Sequence, residues 1–344
     1  MLIVCRVTGK CDLGCPFCGY DRRISRTRCD IDPEKLLRFG ALLHDYRRFS
    51  GDRVLVCWIG GEPLIWEPLP ELAEIFHKKL DISLSVTTNG TTLDSIAVRK
   101  HLLENYSELT VSIDGMDSLF NRLRCWPGGF IKLRESILAL IQEKASLGRG
   151  PRLRVNTILM QDTFPSFEQL CLTLAEWGIE EITFNQIGGI ERPEFFSQQK
   201  LLPEHAEWIA DIIPVLRRRL ANSGVHLSGG DDYLRRILAS ARNECIPIRE
   251  CQAGERFLFI NENGLIAPCS FTDKEYGIHM DQLKTADDLR DLREYFSAKL
   301  RRKRPVQCFD CHSTQVFKKY VNPLVQQREQ RKVSKILKEM SING

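Results

Sequence analysis

Three cysteines, Cys11, Cys15 and Cys18, stand in CxxxCxxC spacing directly after an apolar, β-branched run from Leu2 to Val7. Three thiolates hold three corners of a cubic [4Fe–4S] cluster and leave the fourth iron open to a ligand that reacts. The competing chemistry is a structural zinc ion, which needs a fourth ligand nearby, and Cys5 or Cys29 is close enough in sequence to supply it. A second thiol set comprises Cys251, Cys269 and the CxxC pair Cys308 and Cys311. Four thiolates saturate either a cluster or a zinc ion, and spacing alone does not separate the two.

Three further segments follow in order: Gly60-Gly61-Glu62-Pro63, Val86-Thr87-Thr88-Asn89-Gly90 and Val111-Ser112-Ile113-Asp114-Gly115. Paired glycines let a backbone approach a ligand without interference from Cβ, whereas the plain alternative for each segment is a turn or cap after a strand. Together with the cysteines they resemble the radical S-adenosylmethionine (SAM) superfamily, whose cluster motif is CxxxCxΦC with Phe17 here at the Φ position. The first segment resembles the superfamily's GGEP segment, which receives the amino group of SAM, and the other two resemble the TNG and SxDG strand ends of its subgroup with an added iron–sulfur domain. Cys251, Gly264-x4-Cys269 and Cys308-x2-Cys311 resemble the shortened SPASM region called a twitch domain, and no cysteine follows Cys311. The resemblance therefore implies a [4Fe–4S] cluster with an open iron for SAM, one auxiliary [4Fe–4S] cluster, and SAM itself.

For individual residues the resemblance implies that Cys11, Cys15 and Cys18 hold the first cluster, and Cys251, Cys269, Cys308 and Cys311 the second. It implies contacts to SAM from Phe17, Tyr20, Gly60, Gly61, Glu62, Pro63, Asn89, Ser112, Asp114, Arg124 and Asn156, with Glu62 receiving the ammonium. Arg124 opens Arg-x3-Gly-x-Phe, and a guanidinium is a natural partner for the SAM carboxylate. Phe120-Asn121 stand where the family usually carries His-Asp. Cys245, six residues before Cys251, is the candidate thiol for returning a hydrogen atom to a substrate radical.

The elements that must position these residues alternate along the chain. Strand-like runs at 2–8, 54–59, 82–88, 109–113, 153–160 and 181–187 interleave with helical patterns at 33–49, 69–79, 95–104, 131–146, 167–177 and 205–222. This is an α/β chain with βα units and a parallel sheet. Asp32-Pro33 is an N-cap followed by a first-turn proline. The resemblance implies closure into a partial (β/α)6 barrel over residues 1–225, with its site at the carboxyl ends of the strands. Residues 240–315 are expected to form the small auxiliary-cluster domain. Its hairpin, strands 256–260 and 265–268, turns at Asn263-Gly264, two residues suited to positive φ. Residues 316–344 are expected to form a polar helical tail.

A chain of 344 residues with 43% apolar content can bury a substantial core. The net charge of +4 gives no strong pull toward nucleic acid or acidic membranes. No apolar run approaches the ~20 residues of a membrane span, and the N-terminus lacks a signal-peptide core. An odd count of thirteen cysteines without export signals points to metal ligation in a reducing, cytoplasmic setting. The expected activity is radical SAM oxidation or epimerisation of a small polar metabolite, with an electron donor such as flavodoxin or ferredoxin. Peptide modification is the alternative, although a motif starting at residue 11 leaves no room before it for a peptide-binding winged helix. A zinc-bound, non-catalytic nucleic-acid-binding protein is the alternative of another class, disfavoured by the balanced charge.

Overall fold

The computed structural model describes residues 1–189, 191–245, 251, 253–309 and 311. Expectations for residues 316–344 lie outside the described residues. Strand β1 (Leu2–Thr8) is followed by α1 (Pro33–Ser50), β2 (Leu55–Gly60), α2 (Leu69–Glu74), β3 (Ser83–Thr88), α3 (Ile96–Asn105) and β4 (Glu108–Ser112). Next come α4 (Asp117–Arg124), α5 (Gly129–Leu147), β5 (Arg152–Leu159), α6 (Phe167–Trp177) and β6 (Glu181–Gln186). After α7 (Pro193–Gln199), α8 (Pro203–Asn222), β7 (His226–Leu227) and α9 (Asp231–Ala241), the chain forms β8 (Phe257–Ile260) and β9 (Leu265–Ala267). It then adds α10 (Asp273–Tyr276), β10 (Ile278–His279) and α11 (Ala286–Arg302).

Among the described residues, ten strands form one sheet in the order β10-β9-β8-β1-β2-β3-β4-β5-β6-β7. Strands β1 to β7 are parallel neighbours in chain order, and the sheet stays open between β7 and β10, a partial barrel. The hairpin of β8 and β9 joins this same sheet, because β8 pairs in parallel with β1, Leu2 opposite Phe257. Its turn differs from the sequence expectation: Gly264 alone has positive φ (+76°), and its N–H donates to the Asn261 carbonyl at 2.9 Å. The Asn261 side chain replaces the second left-handed residue by accepting from the N–H groups of Asn263 and Leu265, each at 3.0 Å.

Asp32 caps α1 as its sequence suggests, accepting from the N–H groups of Glu34 and Lys35, and Pro33 occupies the first turn. Along α5 the buried Phe130, Leu133, Ile137 and Leu140 recur every three or four residues, the spacing of one helical face. The helix expected at 69–79 becomes α2 continued by a π-helical turn at Ile75–Lys79. In the strands alternate side chains are fully buried, as with Ile3, Cys5 and Val7 in β1 or Leu153, Val155 and Leu159 in β5. The opposite face is half-buried and polar over β4 to β6, where Ser112 pairs with Asn156 and Asn156 with Thr183.

Candidate active site

The loop after β1 carries Cys11, Cys15 and Cys18, and two glycines decide where it sits. A Cβ built on Gly61 would lie 2.0 Å from the Lys10 carbonyl oxygen, and one on Gly60 would lie 2.7 Å from the Thr8 oxygen. The end of β2 thus presses directly on the start of the cysteine loop. Two backbone bonds of 2.8 Å seal this approach: Gly61 N–H donates to Thr8 and Glu62 N–H to Lys10. The glycines were expected to admit a ligand; the atoms that occupy the space are the loop's own backbone.

Within the loop, Cys18 N–H donates to the Cys15 carbonyl at 3.1 Å, a turn that brings the last two thiols to one side. The three sulfurs are mutual electrostatic neighbours. Burial pushes the Cys15 thiol up to about 12, opposed by Arg124, with Cys18 and Cys11 adding to the rise. Burial likewise pushes Cys11 up to about 11 and raises Cys18. Thiols so placed need a cation or a metal centre to become ligating thiolates.

Glu62 is 0% exposed, so its carboxylate offers no surface to a ligand. It accepts from Thr88 Oγ1 at 2.7 Å, Asn89 N–H at 2.6 Å and Leu64 N–H at 3.0 Å, tying the end of β2 to the end of β3. Burial pushes its carboxyl up to about 7 against those three donors. In this arrangement Glu62 ties the rim of the strand ends together from within. Asn89 then reaches the cysteine loop, its Nδ2 donating to Asp12 Oδ1 at 2.8 Å with Cys11 Sγ 3.8 Å away. Pro63 is buried at the start of a 3-10 turn.

Asp114 and Arg124 form a buried ion pair. Asp114 Oδ1 also accepts from Ile158 N–H at 2.8 Å. Arg124, expected to hold a ligand carboxylate, is 7% exposed and engaged by Asp114. Its guanidinium carbon lies 5.5 Å from the centroid of the Phe17 ring, which also packs against Phe195. Tyr20 is likewise spent within the protein. The guanidinium groups of Arg6 (4.8 Å) and Arg26 (4.5 Å) both lie against its ring, and its hydroxyl donates to Glu262 in the hairpin turn at 3.1 Å. Asn156 Oδ1 accepts from Thr183 Oγ1 at 3.0 Å and Asn185 Nδ2 at 2.7 Å, while Ser112 is half-buried at the end of β4.

Residues that sequence reasoning did not single out complete the site. Arg192 NH1 reaches the Cys18 carbonyl (3.4 Å) and Asp21 (3.2 Å), so the loop after β6 clasps the cysteine loop. Its place in the loop between β6 and α7 was the available signal. The second thiol set is brought together across long stretches of chain. Burial pushes Cys308 up to about 11, with Cys269, Cys311 and Cys251 adding to the rise, so the four thiols share one locality. Cys269 Sγ lies 3.5 Å from Thr272 Oγ1, and the Cys311 carbonyl accepts from Arg236 Nε at 2.9 Å. Cys245 is exposed after α9, an unsuitable setting for a thiol that must meet a radical shielded from solvent.

Among the described residues no three His, Cys, Asp or Glu side chains close tightly round a single metal ion. A cluster, which fills the space between its thiolates with its own irons and sulfides, accommodates such a spread, and none of the thirteen cysteines forms a disulfide. No helix among the described residues is long and apolar enough to cross a membrane.

A parallel α/β partial barrel carries a three-cysteine loop at the carboxyl end of its first strand, the end where parallel barrels place their sites. Residues 5–160 match the family model of the radical SAM superfamily. Enzymes of that superfamily use a [4Fe–4S] cluster and SAM. Fe-coproporphyrin III synthase of Methanosarcina barkeri is 25% identical over 65% of this chain and 53% of its own length. The chain thus spans only about half of that relative. A PqqA peptide cyclase of Xanthomonas euvesicatoria is 22% identical over 82% of this chain and 71% of its own. In fold, the chain resembles Streptococcus suis SuiB bound to S-adenosylmethionine, with a TM-score of 0.62, 18% identity, and 90% of this chain and 70% of that one covered.

Proposed function

We propose that Cys11, Cys15 and Cys18 hold the open-iron cluster and that the enzyme oxidises a polar substrate lying over the half-buried polar face of β4 to β6. The observation that carries this reading is the three-thiol loop pinned against Gly60 and Gly61 beside that face. When bound, the cluster supplies the electron that cleaves SAM to a 5′-deoxyadenosyl radical, which takes a hydrogen atom from the substrate. Gly60, Gly61, Asn89, Ser112 and Asn156 line the strand ends where SAM would bind; Glu62 orients that rim from beneath.

Cys251, Cys269, Cys308 and Cys311 would hold one auxiliary cluster with no open iron, suited to electron transfer. Held there, such a cluster would supply a one-electron acceptor, which with loss of a proton to solvent is what a two-electron oxidation still requires after a hydrogen atom has been removed. Epimerisation would instead need a shielded hydrogen-atom donor, and Cys245 is exposed, which favours oxidation. A low-potential one-electron donor such as flavodoxin or ferredoxin would load the first cluster.

A small polar metabolite fits the single four-cysteine set. Peptide modification is the second reading, favoured by the match to a PqqA peptide cyclase across 82% of the chain. Reduced enzyme is incubated with SAM and either small polar metabolites or candidate precursor peptides, and 5′-deoxyadenosine is measured. Substrate-stimulated release with small metabolites supports the first reading; stimulation by peptides alone replaces it with the second.

A further inference from the structure

The Asp114–Arg124 pair lies at the cysteine loop rather than apart from it. Helix α4 ends at Arg124, where Cys125 turns the chain through a left-handed conformation (φ +50°), and the Arg124 carbonyl itself lies 4.0 Å from Cys15 Sγ. Through its guanidinium, NH2 meets Asp114 while NH1 points at Cys15 Sγ from 4.0 Å, so the cation stands between the carboxylate and the sulfur. Phe17 covers its face, and Cys15 is 6% exposed. Water is thereby kept from this side of the thiol.

We infer that Arg124, held in place by Asp114, sets the reduction potential of the cluster on Cys11, Cys15 and Cys18 through its charge and its N–H group at Cys15 sulfur. This rests on the reading of those cysteines as cluster ligands. An arginine keeps its charge at any working pH, and cluster potentials respond to net charge, hydrogen bonds to sulfur and solvent exposure. Adding an electron from a one-electron reductant puts one more negative charge on an already anionic assembly. A fixed cation beside one of its sulfurs favours that reduced form, and a buried setting screens the effect little. Asp114 has two opposed effects: it orients the guanidinium and offsets part of its charge.

The test is an anaerobic redox titration of the holoenzyme with dithionite, followed by EPR without SAM. The relevant cluster is identified as the one whose signal SAM afterwards perturbs, and the auxiliary cluster in the same sample is the internal reference. Arg124→Gln should move the midpoint to a more negative potential, and Arg124→Lys should restore most of the shift while the reference stays put. Asp114→Asn keeps the acceptor for Ile158 N–H but removes the negative charge, and should move the midpoint the other way. If Arg124→Gln fails to take up iron, Asp114→Asn decides alone. An unchanged midpoint in the variants that load overturns the inference. So does an unchanged midpoint accompanied by weakened SAM binding in Arg124→Gln, which would make Arg124 a ligand for the SAM carboxylate. A wild-type protein with no SAM-perturbed signal would instead defeat the underlying cluster assignment.

Discussion

Replacing Gly61 by alanine should dislodge the cysteine loop without touching a cysteine. The new Cβ would fall 2.0 Å from the Lys10 carbonyl oxygen and 2.4 Å from its carbon, where 3.0 Å is already closer than real Cβ atoms come. The obstructing atoms are backbone, so the loop must retreat by about 1 Å, the difference between those distances. Retreat breaks or stretches the 2.8 Å bonds from Gly61 N–H to Thr8 and from Glu62 N–H to Lys10. Each contributes about 0.5–1.5 kcal/mol, and with the strain the loss comes to roughly 2–3 kcal/mol. The damage should be local, because β1 and β2 remain paired from Leu2 opposite Leu55 onward. The assay is iron and sulfide per chain after anaerobic reconstitution, with EPR before and after SAM. Gly61→Ala should lose the SAM-perturbed signal and keep the auxiliary cluster. Gly188→Ala, where a Cβ meets nothing within 4 Å, should keep both. A Gly61→Ala protein with a full complement of iron and wild-type SAM response would refute the view that this contact seats the loop.

Glu62→Gln tests the buried carboxyl. With its pKa pushed up to about 7 by burial from an ordinary 4.5, the folded chain holds a proton between those values that the unfolded chain releases. Stability should therefore fall as pH rises from about 4.5 to about 7, by roughly 3 kcal/mol in total from this group, and the variant should flatten that slope in urea titrations. A slope identical to wild type would show that Glu62 does not titrate there. In the second thiol set, the triple variant Cys11/Cys15/Cys18→Ala should retain about four irons per chain, in a cluster whose spectrum SAM leaves unchanged. Zinc in its place, or a SAM-sensitive cluster, would reassign the two sets.

The sequence made the main elements of this fold readable where local chemistry alone decides them. Asp32-Pro33 marks a helix start because a cap and a fixed φ act within one turn, and α6 at Phe167–Trp177 coincides with its apolar period. Strand β7 spans only His226–Leu227, too short for alternation to register, and α9 buries Arg236, whose guanidinium reads as surface until the Cys311 carbonyl is placed beside it. The pairing of β8 with β1 joins residues more than 250 apart and leaves no local trace. In the site, the cysteines and strand ends were legible as types and spacings. Their partners were not: Glu62 turns inward to Thr88 and Asn89, Arg124 to Asp114, and Tyr20 to Glu262, since each contact depends on which strand end lies next to which.

The most direct measurement of the central claim is SAM cleavage by the anaerobically reconstituted, dithionite-reduced protein, followed as 5′-deoxyadenosine by chromatography. The wild-type chain should release 5′-deoxyadenosine, while Cys15→Ala, which removes the loop sulfur facing Arg124, should release none above the protein-free control. Equal release by Cys15→Ala, or none by a wild-type protein carrying both clusters, would contradict the assignment of this loop as the site where SAM is opened.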